Sequence, residues 1–274
     1  MPSTPATLSA EEIKRFRDDG YVIVRSAFSH DDALAMQHEW WSELAEAHGI
    51  LQADRSTWHP IPSDLKRAKH SVIQERILTE RVRGVIDDLL GPGTWPPPRD
   101  WGRTIATFPQ PGEWDVPTAL WHCDSPSAWH RDALNGLFVV SFIGSVRKRG
   151  GGTLILSGSP RLLEQHEGRL TPLEQSGMAA RREIFHRSYP WLMALTGKAP
   201  SPANRIAAFM EGEAVIEGVP LRVIELTGEP GDMVFCHPAI VHCGSPNHGL
   251  QPRFMRIKQQ LMTHEGRRLL RAAQ

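Results

Sequence analysis

The chain has 274 residues, of which 40% are hydrophobic, enough to bury a sizeable core without disulfide or metal staples. Its 31 Lys and Arg balance 31 Asp and Glu, so no global field draws it to nucleic acid or to an anionic membrane, and a small-molecule substrate fits better. Three cysteines, Cys123, Cys236 and Cys243, form no framework, the N-terminus has no basic-then-apolar signal, and no window is apolar for the length of a membrane span; free thiols and a cytoplasmic location are expected.

The first ninety residues read as mainly helical. Ser9-Ala10-Glu11-Glu12 has the pattern of a capping box and opens a helix that Gly20 stops. Tyr21–Val24 is a short β-rich run. Ser29 or His30 then starts a second helix, and a third is expected over roughly Ser71 to Leu90, ended by Gly91-Pro92-Gly93. From Trp101 onward short β-branched runs alternate with Pro and Gly, as in a sandwich or barrel. Strands are predicted at Thr104–Phe108, Leu137–Ile143, Thr153–Leu156, Ala214–Glu217, Leu221–Leu226, Met233–Cys236 and Met255–Met262, with a hairpin turn near Glu217-Gly218-Val219-Pro220. The stretch 160–210, rich in Arg, Leu and Pro, reads as a partly helical insertion and as a candidate seal over a site. One domain is expected over 1–274: a helical cover over 1–95, and a β core over 100–262 interrupted by that insertion.

Three His-x-Asp matches occur: His30 with Asp32, His122 with Asp124, and His130 with Asp132. Residues two apart on an extended segment face the same side, so such a pair can offer two ligands to one metal. The first match sits at a helix start, where a capping role explains it better. The third lies only eight residues past the second and reads better as a polar loop. His242 is the candidate third ligand. His237, five residues earlier, would face the other way on a continuous strand, and Pro238 interrupts the ladder between them. Two His and one carboxylate around a common point, with open coordination positions, is the arrangement of oxygen-activating non-haem Fe(II). Structural zinc is disfavoured, because the cysteines show no Cys-x-x-Cys pairing.

Four segments occur together and in order. Leu8-Ser9-Ala10-Glu11-Glu12-Ile13 runs through Gly20-Tyr21-Val22-Ile23-Val24; Trp121-His122-Cys123-Asp124 follows; then come Gly151-Gly152-Thr153-Leu154 and Gly158-Ser159-Pro160-Arg161; last are Gly231-Asp232, His242, Pro246-Asn247 and Pro252-Arg253. In this order the chain resembles the phytanoyl-CoA dioxygenase family of Fe(II)/2-oxoglutarate-dependent oxygenases over nearly its whole length. The resemblance implies a mainly β fold with helical cover, a double-stranded β-helix (jelly-roll, cupin-like) preceded by N-terminal helices. It implies His122, Asp124 and His242 as ligands of Fe(II), and Arg253 as the partner of the distal carboxylate of 2-oxoglutarate, for which a guanidinium offers a matching fork. Succinate and CO2 would be released, dioxygen consumed, and an unactivated C–H of a small metabolite hydroxylated. Desaturation, epoxidation or cyclisation would use the same ligands, whereas the carboxylate at Asp124 argues against a halogenase. The alternative is a non-catalytic jelly-roll module that binds metal structurally.

Two positions depart from the family pattern. The small hydroxyl residue that helps hold the cosubstrate is replaced by Gly244, which leaves Ser245, one place later, as the candidate; and Pro160 stands where a non-ligand His is common. Trp129 and Thr153 are further candidates for the cosubstrate pocket, with Arg103 close by. Arg187, Tyr189 and Trp191 of the insertion are candidates for substrate contact.

Overall fold

A computed structural model describes residues 6–61, 64–124, 134–169 and 178–272. Ser9 caps α1 (Ala10–Asp19) as expected: its Oγ accepts from Glu12 N at 3.2 Å while the Glu12 carboxylate accepts from Ser9 N at 2.8 Å. Gly20, at φ 86°, closes the helix and turns the chain into β1 (Tyr21–Val24). Ser29 caps α2 (His30–His48), so Asp31 and Asp32 belong to its first turn and the first His-x-Asp match is a helix start.

The third predicted helix is two segments. A 3-10 stretch, Val72–Ile77, ends at Leu78, and α4 (Glu80–Leu90) begins afresh. Thr79 causes the break. In extended backbone its Oγ1 accepts from Val82 N at 3.1 Å and donates to Ala27 O at 2.8 Å, so a cap and a tertiary tie replace a continuous helix. A short helix, α3 (Lys66–His70), precedes them and was not foreseen.

Two antiparallel sheets follow, and they face each other as a jelly-roll. With β2 (Arg103–Thr107), β3 (Gly136–Phe142), β7 (Met233–Cys236) and β9 (Arg253–Leu261), the five-stranded sheet runs β1-β7-β3-β9-β2. With β4 (Leu154–Ser157), β5 (Ala214–Ile216), β6 (Val219–Glu225) and β8 (Val241–Cys243), the four-stranded sheet runs β5-β6-β4-β8. The predicted hairpin is present: Ile216 pairs with Val219 across Glu217 and Gly218, whose φ values are 52° and 74°. The insertion contains α5 (Ser159–Glu167), α6 (Met178–Arg187), α7 (Pro190–Leu195) and a π turn at Ala207–Glu211; α8 (His264–Ala272) ends the described chain.

Side-chain parity sorts the interior into three apolar layers. Leu137, Val139, Met233, Phe235 and Phe254 point outward into a core with Trp40, Met36 and Leu44 of α2. Their strand neighbours Phe138, Val140, Val234 and Met255 point inward and meet Ile155 of the smaller sheet and Ile240, just ahead of β8. Leu154, Leu156, Val241 and Cys243 point away from that sheet into a third layer with Leu162, Phe185 and Leu192 of the insertion. Buried on both faces, β3 is therefore apolar at every position except Ser141. Trp40 is fully buried, with its ring 5.3 Å from that of Phe254, and Trp41 adds a second contact to Phe254 at 5.1 Å. These aromatic contacts dock the helical cover on β9.

Asp232, just ahead of β7, ties the turn after β1 to the body of the sheet. Its carboxylate accepts from Ser26 N at 2.8 Å, Glu229 N at 2.9 Å and Arg25 Nη1 at 2.7 Å. Burial alone would raise its pKa; the two backbone donors and Arg25 outweigh that and hold it below the ordinary carboxylate value. A lowered folded pKa adds stability that is complete above the unfolded value of about 3.9 and is lost as pH falls through the folded one. Asp232→Asn is expected to lower unfolding free energy by about 1–3 kcal/mol at pH 7, the cost of hydrogen bonds to a charged acceptor. That gap should narrow as pH falls below about 4, measured by urea unfolding across the range.

Candidate metal centre

His122 lies outside the named strands, yet its backbone forms an antiparallel bridge to β8. His122 N donates to His242 O at 2.9 Å, and His242 N donates to His122 O at 2.7 Å. Two peptides 120 positions apart in the chain are thereby fixed as neighbours, and their imidazole centroids stand 4.3 Å apart. Asp124 follows on the same side. Its Oδ1 is 3.5 Å from His122 Nε2 and its Oδ2 is 3.7 Å from His242 Nε2. One ligand atom from each of the three side chains lies within 4.8 Å of the others, which is the span of a shared cation.

Both rings are held in the form a metal requires. His122 Nδ1 is 2.7 Å from Leu120 O, and His242 Nδ1 is 3.0 Å from Ile240 O. A carbonyl only accepts, so each Nδ1 carries a proton, and in the neutral ring Nε2 is the lone pair, on the side of Asp124. Leu120 sits in the left-handed region at φ 66°, an uncommon backbone state for a side chain other than glycine, immediately before the ligand segment. Phe138 stacks on His242 at 4.4 Å and 21°. Burial, chiefly, and the neighbouring His122 push the His242 pKa below its ordinary value, against opposing contributions from Ile240 O and Asp124.

The triad opens into a cavity of about 570 Å³ whose wall includes Ile105, Phe138, Thr153, Gly244, Ile257 and Arg253. Arg253 is buried, and burial pulls its guanidinium pKa down to about 10. It donates to Gly151 O and, at 2.7 Å, to Thr107 Oγ1, while its Nε finds no partner among the described residues. No carboxylate among the described residues pairs with it either: Glu225, the acid whose field it feels, accepts from Arg149 N and Gly152 N. A buried cation without a counter-ion, beside a cavity, is suited to an incoming anion. Gly151, whose carbonyl accepts from Arg253, must itself be glycine to pass Asn247. Its φ is 83°, and a Cβ there would stand 2.9 Å from the Asn247 side chain.

Asn247 in turn donates to Thr107 O and Gln251 O, both at 2.9 Å, which sets the loop leading into Arg253. The motif residues Asp232 and Asn247 thus shape the frame and stand outside the cavity wall.

Several sequence expectations resolve differently. His237 and His242 share no strand: the first follows β7 in the large sheet, and the second lies on β8 in the small one. His237 N donates to Gly20 O at 2.8 Å and its Nδ1 accepts from Ala239 N at 3.0 Å, so it serves the crossover between sheets. Thr153 and Arg103 reach the cavity wall. Ser245 does not; its Oγ donates to Gly152 O at 2.8 Å. Trp129, like His130 and Asp132, lies outside the described residues.

The insertion residues that are described do not border the cavity, and the expectation of a seal fails for them. Tyr189 packs on Phe185 and His166, and Trp191 meets Phe209 edge-on at 5.0 Å, because α5 to α7 cover the outer face of the small sheet. Arg187 pairs with Glu183 at 2.5 Å. Cys123 and Cys243 face that same apolar layer, burial raises both thiols to about 12, and neither joins the triad. The sequence reading missed β8, the His122–His242 bridge, and Lys69, Lys258 and Gln259 in the cavity wall. Only Gln259 had a readable signal, its parity with Arg253 and Ile257 on β9.

No family model matches the chain, and no curated protein matches it. Among solved structures its fold is similar to that of the non-heme alpha ketoglutarate dependent carbocyclase SnoK from nogalamycin biosynthesis, at 15% identity and TM-score 0.55, over 95% of this chain and 87% of that one. EvdMO1 matches at 15% identity and TM-score 0.55, over 92% of this chain and 49% of that one. EctD from S. alaskensis with bound Fe matches at 17% identity and TM-score 0.50, over 95% and 79%. At these identities the likeness establishes the shared fold.

The tautomers can be checked directly. In metal-free protein, nitrogen-15 NMR should find His242 in the Nδ1–H form, with a pKa below 6.5. A ring that protonates at or above that value would contradict the burial described here.

Proposed function

We propose that the protein is an Fe(II)- and 2-oxoglutarate-dependent oxygenase that hydroxylates a C–H bond of a small-molecule substrate, with dioxygen consumed and succinate and CO2 released. One observation carries the reading: a His-Asp-His triad with both Nε2 lone pairs directed inward shares a single cavity with a buried, uncompensated guanidinium. The residues fit the cofactors. His122, Asp124 and His242 would hold iron through two nitrogens and one oxygen, leaving coordination positions open. Arg253 would take the distal carboxylate of 2-oxoglutarate, with Thr107 and Thr153 beside it. When bound, iron and the keto acid supply the oxidising power for C–H cleavage.

The chain's own contribution is positional. The two backbone carbonyls fix the imidazoles, Phe138 stacks on the His242 ring, and Ile105 and Ile257 contribute apolar surface to the cavity wall, which favours exclusion of water. Asp124 fills the carboxylate position, so no site is vacated for a halide. Structures of similar fold are described as a carbocyclase and as an Fe-bound protein, which supports oxidative chemistry on this frame and keeps cyclisation, desaturation and epoxidation within reach of the same ligands. Within that class we place the chain in the phytanoyl-CoA dioxygenase family, as one oxygenase domain spanning residues 1–274. No helix among the described residues is long and apolar enough to cross a membrane. The three unpaired thiols suit a reducing compartment, and we assign the cytoplasm.

Anaerobic addition of Fe(II) and then 2-oxoglutarate should produce the weak visible charge-transfer band of a chelate, followed by succinate on exposure to oxygen. No band and no succinate would favour a structural metal module. His122→Ala, Asp124→Ala and His242→Ala should each lose bound iron and reduce succinate formation by on the order of 100-fold or more, the scale set by loss of a metal ligand or its support. Full activity in any one removes that ligand from the set. Arg253→Lys should retain iron yet raise the KM for 2-oxoglutarate by about tenfold or more, because an ammonium cannot reproduce the two-pronged contact. An unchanged KM would detach Arg253 from the cosubstrate.

A further inference from the structure

The same cavity has a second concentration of charge, away from Arg253. Where β2 begins, its wall includes Lys69 from α3, Arg103 from β2 and Lys258 from β9. Arg103 lies opposite Ile257 in the β2–β9 register, so Arg103 and Lys258 come from adjoining strands at the sheet edge. Resting on the oxygenase reading above, we propose that Lys69, Arg103 and Lys258 form an anion subsite at the cavity mouth, which binds a carboxylate or phosphate group of the prime substrate.

Charge counting separates the two ends of the cavity. Were His122, Asp124 and His242 to hold a divalent iron and Arg253 a doubly anionic keto acid, the charges of the inner half would cancel. Those of the mouth do not. Its three cations face two carboxylates, and both carboxylates are thinly spread. Asp64 gives one oxygen to Lys69 at 3.3 Å and the other to Arg103 at 3.2 Å. Asp100 stands 3.5 Å from Lys258 and spends the same oxygen on Gly102 N at 2.6 Å. Each contact is single and long, unlike a two-pronged guanidinium–carboxylate pair. Arg103 engages only its Nε, so its Nη donors have no protein partner among the described residues. A ligand that brings one negative charge meets one uncompensated positive charge and a set of free donors.

A solvated ion-pair network would also place acids and bases together, but it would not need a rigid frame, and this mouth has one. Arg256, on the outer face of β9, is completely buried and makes no ion pair among the described residues. It donates instead to four carbonyls: Trp101 at 3.3 Å, Gly102 at 3.2 Å, Ala68 at 3.3 Å and Lys69 at 3.1 Å. One guanidinium thus ties the end of α3, which bears Lys69, to the backbone just ahead of Arg103. Gly102 closes the joint: at φ 74°, a Cβ there would stand 1.9 Å from Ile257 O. The cations are therefore presented from fixed backbone, which lowers the ordering cost of binding.

The subsite can be read without turnover, using benzoate, phenyl phosphate and neutral benzamide as probes. Ligand-observed NMR at low salt, on protein carrying Ni(II) and bound 2-oxoglutarate, should show at least one of the two anions binding about tenfold tighter than benzamide. The better anion identifies the substrate's group as carboxylate or phosphate. The double variant Arg103→Gln/Lys258→Gln should erase the preference. Arg67→Gln, which removes an exposed cation outside this wall, should keep it and so controls for general surface charge. Equal binding of all three probes, no binding of either anion, or a preference that survives the double variant would overturn the proposal. Failure of the oxygenase reading itself shows elsewhere, as absence of the Fe(II)–2-oxoglutarate band in the unmodified protein. In that event the probes are compared on protein without additions, and the same outcomes decide.

Discussion

The pair of hydrogen bonds between the His122 and His242 peptides is the constraint from which the candidate metal centre follows. Side chains bind metal well only when their backbones are already placed, and this bridge places two of the three proposed ligands in one step. Each imidazole is then locked by a carbonyl two residues earlier in its own chain, Leu120 and Ile240. Orientation is thus decided locally while proximity is decided by long-range pairing. Asp124 needs only the extended alternation of its segment to arrive on the same side.

The two sheets give this arrangement a dry enclosure at one end and an entrance at the other. Inward residues of β3, β7 and β9 fill the space between the sheets with Val140, Val234 and Met255. Toward Arg103 the packing gives way to a cavity with polar and charged walls. The helical cover and the insertion each bury the outer face of one sheet, so both sheets are backed by apolar contacts while their inner faces remain available for chemistry. Two buried arginines show how differently one residue type can be used. Arg256 engages all three of its nitrogens on four backbone carbonyls, whereas Arg253 keeps an Nε without a partner among the described residues.

Much of this was legible in the chain, and the exceptions have physical causes. The capping box at Ser9, the β1 run, the hairpin at Glu217-Gly218 and most strands announced themselves because their signals are local. The pair His122 and Asp124 was marked by spacing, and its preference over His130 and Asp132 came from the order of surrounding motifs. Thr79 went unnoticed as a helix break, because the apolar pattern continues across it and its tie to Ala27 O is tertiary. β8 escaped because three residues after a Pro-containing crossover carry too little pattern. Lys69 escaped because α3 is five residues long and its place at the mouth depends on Arg256, far along the chain.

One feature of the small sheet links catalysis to colloidal behaviour. β8 is its terminal strand, and a terminal strand offers unpaired amide and carbonyl groups to any other chain that can extend alongside it. The segment bearing His122 occupies part of that border through its bridge to His242. The stretch that carries the proposed ligand His122 is thereby also a shield against strand addition. Displacement of this stretch from β8 would uncover a sticky seam at the same moment that it separates His122 from His242, so loss of the proposed centre and self-association would share one structural origin.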